Sequence, residues 1–275
     1  MLASRRLLSL FALALIAGSP GLRAQTAPAP TPAAAAAAAA APAARPQPDP
    51  IDFNDTAGWQ SLFDGSTLAG WDGNPAVWRV TDGAMVGEYT SPEGTRNPST
   101  FLIWKGGEPA DFELKLEIKM EGATADSGIQ YRGYYPTPAA GATPAPGAQW
   151  AINGYQYDFN FINTFNANLA EAGQGRGVIA FRGQMVRTEA GKRPRLLSQL
   201  GTFDGLGGHY RVNDWNQIHL IARGNTLVQM MNGHVMAILI DEDVTKLKTK
   251  GLIGLQCAGP GSVRISFRNV WLKTL

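Results

Sequence analysis

The hydrophobic and polar positions of this chain fall into many short runs of period two. The clearest is Phe112-Glu113-Leu114-Lys115-Leu116-Glu117-Ile118-Lys119-Met120, which alternates without a break. Such alternation sends every second side chain into a core and the rest towards water, so the run predicts a half-buried strand. Strand-like runs also span 76–80, 84–87, 100–104, 127–132, 154–159, 177–182, 217–223, 226–231, 234–241, 251–256 and 263–272. Turn signals such as Asp82-Gly83, Asn225 and Pro260-Gly261 lie between them. Asn232-Gly233 predicts a tight hairpin, because both residues tolerate the positive φ that a type I′ turn demands. Helical signals are few. Residues 244–250 read as one turn or a loop, 136–147 as a loop rich in Pro, Ala and Gly, and 201–208 as a glycine-rich loop. Many short strands with regular turns predict an all-β sandwich or jelly roll.

The pattern changes towards the N-terminus. Met1 to Ala24 has Arg5 and Arg6, then an apolar run from Leu7 to Ala17, then small and helix-breaking residues, and reads as a secretory signal peptide. Its apolar run is short for a transmembrane helix. Gln25 to Pro50 is almost entirely Ala, Pro, Thr and Gln, with alanines from 33 to 41 bracketed by prolines. It holds nothing bulky to bury and reads as a disordered linker. The domain is expected over 51–275, and the protein in the periplasm or outside the cell. Its single cysteine, Cys257, excludes a disulfide framework. A net charge of +2 with scattered basic residues speaks against nucleic acid as a partner. No run outside the leader is long enough to cross a membrane.

Candidate chemistry sits in two strands. Asp126-Ser127-Gly128-Ile129-Gln130-Tyr131-Arg132 is answered by Gly154-Tyr155-Gln156-Tyr157-Asp158. Strand parity puts Gln130 and Arg132 on one side and Ile129 and Tyr131 on the other. It likewise sets Gln156 and Asp158 opposite Tyr155 and Tyr157. One face bearing a cation, a carboxylate and two amides suits a polyhydroxylated ligand such as a sugar. The same alternation describes an ordinary solvated sheet face.

Longer ordered segments resemble a known family. Trp59-Gln60-Ser61-Leu62-Phe63-Asp64-Gly65 with Leu68, Gly70 and Trp71 is similar to its opening, and Trp78-Arg79-Val80-Thr81-Asp82-Gly83-Ala84-Met85 to its first hairpin. Phe101 to Trp104, Asp111 to Leu114, Ser127 to Arg132, Gly154 to Gln156 with Asp158, Arg176-Gly177 with Arg182-Gly183-Gln184, Asp214 to Asn216 and Asn232-Gly233 follow in order. Gly251 to Gln256 and Phe267 to Val270 close the set. This resembles the 3-keto-disaccharide hydrolase family over Trp59 to Leu275. The resemblance implies a concanavalin-like jelly roll of two curved antiparallel sheets and a sugar site on the concave face. It also implies cleavage of glycosides already oxidised at C3. A ketone there acidifies the C2 proton; a base removes it, the aglycone leaves C1 by β-elimination, and water adds to the unsaturated sugar.

Roles follow for individual residues. Asp158 is expected as the base or a metal-facing carboxylate, or alternatively as a structural partner of Arg132. Arg132 would steady an enolate or hold hydroxyls, with Gln156 beside it. Gln130, Gln184 and Gln256 would read hydroxyls, as would Arg182 if it is not simply solvated. Trp150 is the expected sugar platform, and Tyr155 either stacks on the sugar or fills the core. Two positions depart from the family. Glu171 stands where a tyrosine-containing acidic loop is usual. Cys257 stands where relatives often carry histidine, and it reads as a buried inert thiol or, less simply, a reactive one. His209, His219 and His234 lack the spacing of a metal site, and His219 should face outward from its strand. No cofactor is evident; a divalent ion such as calcium is compatible with the fold but not indicated by the sequence. Two function classes remain: an enzyme acting on 3-keto-glycosides, and a non-catalytic carbohydrate-binding module of the cell envelope.

Overall fold

A computed structural model describes residues 48–49, 51–141, 143–173 and 175–275. The expected signal peptide and nearly all of the expected linker lie outside the described residues. From Ile51 onward the chain forms two β-sheets packed face to face. One sheet runs β12 (Arg195–Gln199), β11 (Gln184–Glu189), β15 (His234–Glu242), β14 (Thr226–Met231), β13 (Asn216–Arg223), β6 (Phe112–Glu121), β17 (Val263–Thr274), β4 (Ala84–Tyr89) and β3 (Trp78–Thr81), with β1 (Gln60–Ser61) also paired to β17. The other runs β10 (Gly177–Ala180), β9 (Leu169–Ala172), β8 (Asn153–Asn160), β7 (Asp126–Tyr134), β16 (Leu252–Cys257), β5 (Thr100–Trp104) and β2 (Trp71–Asp72). This is the expected all-β, concanavalin-like jelly-roll sandwich.

The alternation read in Phe112 to Met120 is the reason the sheets pack. Phe112, Leu114, Leu116, Ile118 and Met120 point inward and meet Ile129, Tyr131, Tyr155, Tyr157 and Leu255 from the facing sheet in one core. Asn232 and Gly233 turn β14 into β15 at φ of 49° and 81°, as a type I′ turn requires. One pairing departs from the expected antiparallel pattern: β11 runs parallel to β15. The chain leaves β10 on one sheet and enters β11 on the other through Phe181–Gly183, and β12 then pairs antiparallel with β11 as the edge of the ten-stranded sheet.

Two further local departures have identifiable causes. The expected loop 201–208 contains a short helix, α1 (Phe203–Gly207), because the Thr202 side chain caps it by accepting from the Gly205 NH at 3.1 Å. His219 does sit on the outer face of its strand, but it is buried there. Trp59 lies edge-on across its ring and Glu113 Oε2 is 2.6 Å from its Nε2.

Candidate functional site

The outer face of the seven-stranded sheet carries the polar residues. Strand register sets Gln130 opposite Gln156 and Gly128 opposite Asp158, with Asp126 opposite Asn160. On the other side of β7, Gly254 pairs with Gln130, and Gln256 lies two residues further along the same face. Asp126, Gln130, Gln156, Asp158 and Gln256 therefore share one surface. Gly128 leaves a gap on it. A Cβ there would stand 2.1 Å from Gln156 Nε2, so the Gln156 amide lies across the glycine. Gln156 Nε2 donates to Gln256 Oε1 at 2.7 Å, and Gln256 Nε2 donates to Ser99 Oγ at 2.8 Å. This relay leads into a cavity of about 590 Å³ lined by Asp126, Gln256, the 96–99 loop and the 258–260 segment. That volume is in the range of small-ligand sites.

Beside these polar residues the face is apolar and covered. Phe101, Ile103, Ile152 and Leu252 form a second buried cluster, and Phe101 and Ile103 pair across β5 with Gln256 and Gly254. The 136–147 loop leads into a 3₁₀ turn at Ala148–Trp150, whose Trp150 Nε1 donates to Asp72 Oδ1 at 2.9 Å. Trp150 is thus tied to the edge strand β2 and is not among the residues lining the Asp126 cavity.

Asp158 is the unusual group. No side chain among the described residues hydrogen-bonds or ion-pairs with it, and the same holds for Asp126. Burial and the neighbouring Asp126 push the Asp158 carboxyl up to about 7, opposed only by the Phe159 NH. Burial also raises Asp126, against the Ser127 NH. Two half-buried carboxyls one diagonal step apart, without a cation, disfavour ionising both at neutral pH. Strand parity alone could have singled out Asp126, since it shares even numbering with Gln130. The 96–99 loop carries no period that would have marked it.

Other expected site residues lie elsewhere. Arg132 does not join the polar face. Its φ of 45° breaks the two-residue period, and the pairing with β8 shifts between Tyr131 and Tyr134. The side chain is fully buried, donating to the carbonyls of Ala110, Gly224 and Lys248 and to Asp111 Oδ1 at 2.7–3.1 Å. It clamps three loops, and Asp158 is not its partner. Gln130 keeps the expected face but is fully buried, with Nε2 donating to Gly154 O at 3.2 Å and Oε1 unpaired. Tyr155 is in the core, its hydroxyl bonded to Asp241. Arg182 is also buried: its guanidinium stacks 3.9 Å from the Phe203 ring centroid and donates to the Phe203 and Asn166 carbonyls. Gln184 opens β11 on the other sheet and accepts from the Phe181 NH at 3.0 Å.

The two departures from the family are equally committed. Glu171 accepts from Arg176 Nε at 2.6 Å, and Arg176 also forks onto both oxygens of Asp241, at 3.1 and 2.6 Å. Cys257 is buried between the sheets, where desolvation pushes its thiol up to about 12. It is an inert core residue at neutral pH. Among the described residues no cluster of three or more histidine, cysteine or carboxylate side chains is arranged to hold a metal, and no helix is long and apolar enough to cross a membrane.

No curated protein matches the chain. Among solved structures it is similar to a protein from Parabacteroides distasonis provisionally described as a glycosyl hydrolase, at 20% identity over 79% of this chain and 99% of that one, with a TM-score of 0.49. It is similar to the carbohydrate-binding module CBM66 from Bacillus subtilis at 13% identity over 74% and 96%, with a TM-score of 0.45. It is also similar to a Bacillus subtilis protein of unknown function with a galectin-like fold, at 13% identity over 75% and 90%, with a TM-score of 0.47. At such identities and scores the likeness concerns architecture at most. A family model is more direct: residues 58–273 match the 3-keto-alpha-glucoside-1,2-lyase-like domain, and the chain belongs to that family.

Proposed function

We propose that this protein cleaves 3-keto-glycosides or 3-keto-disaccharides on the polar face of its seven-stranded sheet, outside the cytoplasm. Asp158 takes the C2 proton, electrons move onto the C3 oxygen, and the aglycone leaves C1 by β-elimination. Water then adds to the unsaturated sugar. The observation that carries this reading is the uncompensated Asp158 carboxyl, raised to about 7. A group half-ionised at neutral pH can accept the C2 proton and return it during hydration. Gln156 and Gln256 supply amides for sugar hydroxyls beside it. Family membership supports the substrate class, and the Met1–Ala24 pattern supports export.

A second reading, a carbohydrate-binding module without catalysis, is favoured by Glu171 and Cys257, since neither is free to move a proton. Incubation with 3-keto-trehalose or a 3-keto aryl glucoside separates the two. The enzyme reading expects free aglycone. Calorimetric binding without any release would leave the binding module. Export is checked on the mature protein, whose N-terminus should be Gln25.

A further inference from the structure

We infer that Asp126 is the catalytic acid of this site: it lines the cavity between β16 and the 96–99 loop, and there it protonates the departing glycosidic oxygen. The inference rests on the elimination chemistry proposed above and extends it to the leaving group.

The geometry comes from the strand register. Asp126 and Asp158 stand on adjacent strands, on one face, one diagonal step apart. Their Cα atoms are therefore about 7–8 Å from each other. Two carboxyls so placed can act on neighbouring ring carbons, one on the C2 hydrogen and one on the oxygen at C1. Of the two, Asp126 is the one that borders the cavity, together with Gln256, Asn97, Ser99 and the exposed Arg96. A cavity of about 590 Å³ has room for an aryl group or a second sugar. Neither carboxyl has a cation partner among the described residues, and burial favours the protonated form of both. A pair that resists double ionisation keeps one proton between its members.

The protons balance over the cycle. The reactive form is the tautomer of the singly protonated pair in which Asp126 holds the proton and Asp158 is ionised, the less populated of the two because the Asp126 charge raises Asp158. Asp158 removes the proton from C2, a C1–C2 double bond forms in conjugation with the C3 ketone, and the C1–O bond breaks. The leaving oxygen takes its proton from Asp126. In the second half, water adds across the double bond: its oxygen joins C1, its proton goes to Asp126, and Asp158 returns a proton to C2. Both carboxyls end as they began.

The test compares Asp126→Asn with Asp158→Asn on two 3-keto-glucosides, one with a 4-nitrophenyl leaving group and one with a methyl group. Nitrophenolate leaves without protonation, whereas methoxide does not. Asp126→Asn is expected to slow the methyl substrate by about 10²–10⁴-fold and the nitrophenyl substrate by less than about 10-fold. Asp126→Asn should also still exchange the C2 hydrogen for solvent deuterium, while Asp158→Asn should exchange neither substrate. Equal losses on both substrates, or no loss on the methyl substrate, would overturn the acid role. Circular dichroism of Asp126→Asn and a second variant, Asp126→Glu, with partial recovery on the methyl substrate, guard against misfolding; no recovery in a folded Asp126→Glu counts against the role. If wild-type protein releases neither aglycone, the elimination reading itself fails and this inference falls with it. If Asp158→Asn stays active while Asp126→Asn shows the leaving-group signature, the acid stands and the base has been misassigned.

Discussion

Two pairs of carboxylates lie on either side of the seven-stranded sheet, the core-side pair completed by Asp241 from β15 of the facing sheet, and they are treated in opposite ways. On the core side, Asp241 and Glu171 share Arg176, and Asp241 also accepts from the Tyr155 and Thr188 hydroxyls. Burial would raise Asp241, but these partners outweigh it and hold its carboxyl below the usual range. On the outer side, Asp126 and Asp158 have no such partners among the described residues, and both are raised. Burial alone is therefore a poor guide to chemistry. A buried carboxylate surrounded by donors is fixed as an anion and holds the fold together. One left without donors retains a proton near neutral pH and is available for transfer.

The strongest way to break the comparison is to remove the core-side cation. Arg176→Met leaves Asp241 and Glu171 facing each other without charge compensation, and it should destabilise the protein by about 3–5 kcal/mol in urea denaturation. The loss should shrink as pH falls towards 4, where the orphaned carboxyls take up protons. A loss that did not change with pH would mean that packing, rather than charge, is what Arg176 provides.

Asp158→Asn should act in the other direction. The folded Asp158 pKa lies above its unfolded value, so the folded state binds more protons between about pH 4 and 7. The stabilisation linked to that proton is complete at low pH and is lost as pH rises to about 7. Replacing Asp158 with Asn removes the cost of ionising it, so the variant should gain roughly 2–4 kcal/mol at pH 8 and little at pH 4. A thermal scan at the two pH values would read this as a Tm rise of roughly 5 °C or more at the higher pH alone. Asp241, with a lowered pKa, contributes the reverse: stability present above its unfolded value and lost as pH falls through the folded one. The acid limb and the neutral limb of the stability profile thus report on different faces of the sheet. Carboxyl-resolved NMR titration should place Asp158 near pH 7, with a downward step in Asp126→Asn.

A smaller change sharpens the polar face itself. Gly128→Ala puts a Cβ against the end of the Gln156 side chain, which must swing aside and give up its bond to Gln256. The cost in stability should be about 1 kcal/mol, with a rise in KM for a 3-keto-glycoside as its main kinetic effect.

Much of this was legible in the chain. Period-two alternation from Phe112 to Met120 placed a strand with the correct inward face, and Asn232-Gly233 gave its hairpin. The same rule put Gln130, Gln156 and Asp158 on one surface. It failed at Arg132 because one residue with positive φ moves a side chain out of register, and alternation assumes there is none. The glycines packed around that bend carried the missing signal: a Cβ at Gly251 would come within 2.5 Å of the Arg132 carbonyl carbon. Trp150 was read from its residue type and its place before the polar strand, and Arg182 and Gln184 from alternation with Phe181, which say nothing about the partners that occupy them. The nearness of Asp126 to Asp158 needed the register of two strands, and the cation shared by Glu171 and Asp241 needed the 171–176 segment to meet a strand 65 residues further on.

Turnover of 3-keto-trehalose by Asp158→Asn and Arg176→Met, measured side by side with circular dichroism on both, tests the central claim most directly. Asp158→Asn is expected to be folded, more stable than wild type above pH 7, and slower by about 10³-fold or more. Arg176→Met is expected to be less stable but to turn over at close to the wild-type rate at temperatures where it is folded. An Asp158→Asn protein that released glucose as fast as wild type would rule out Asp158 as the base.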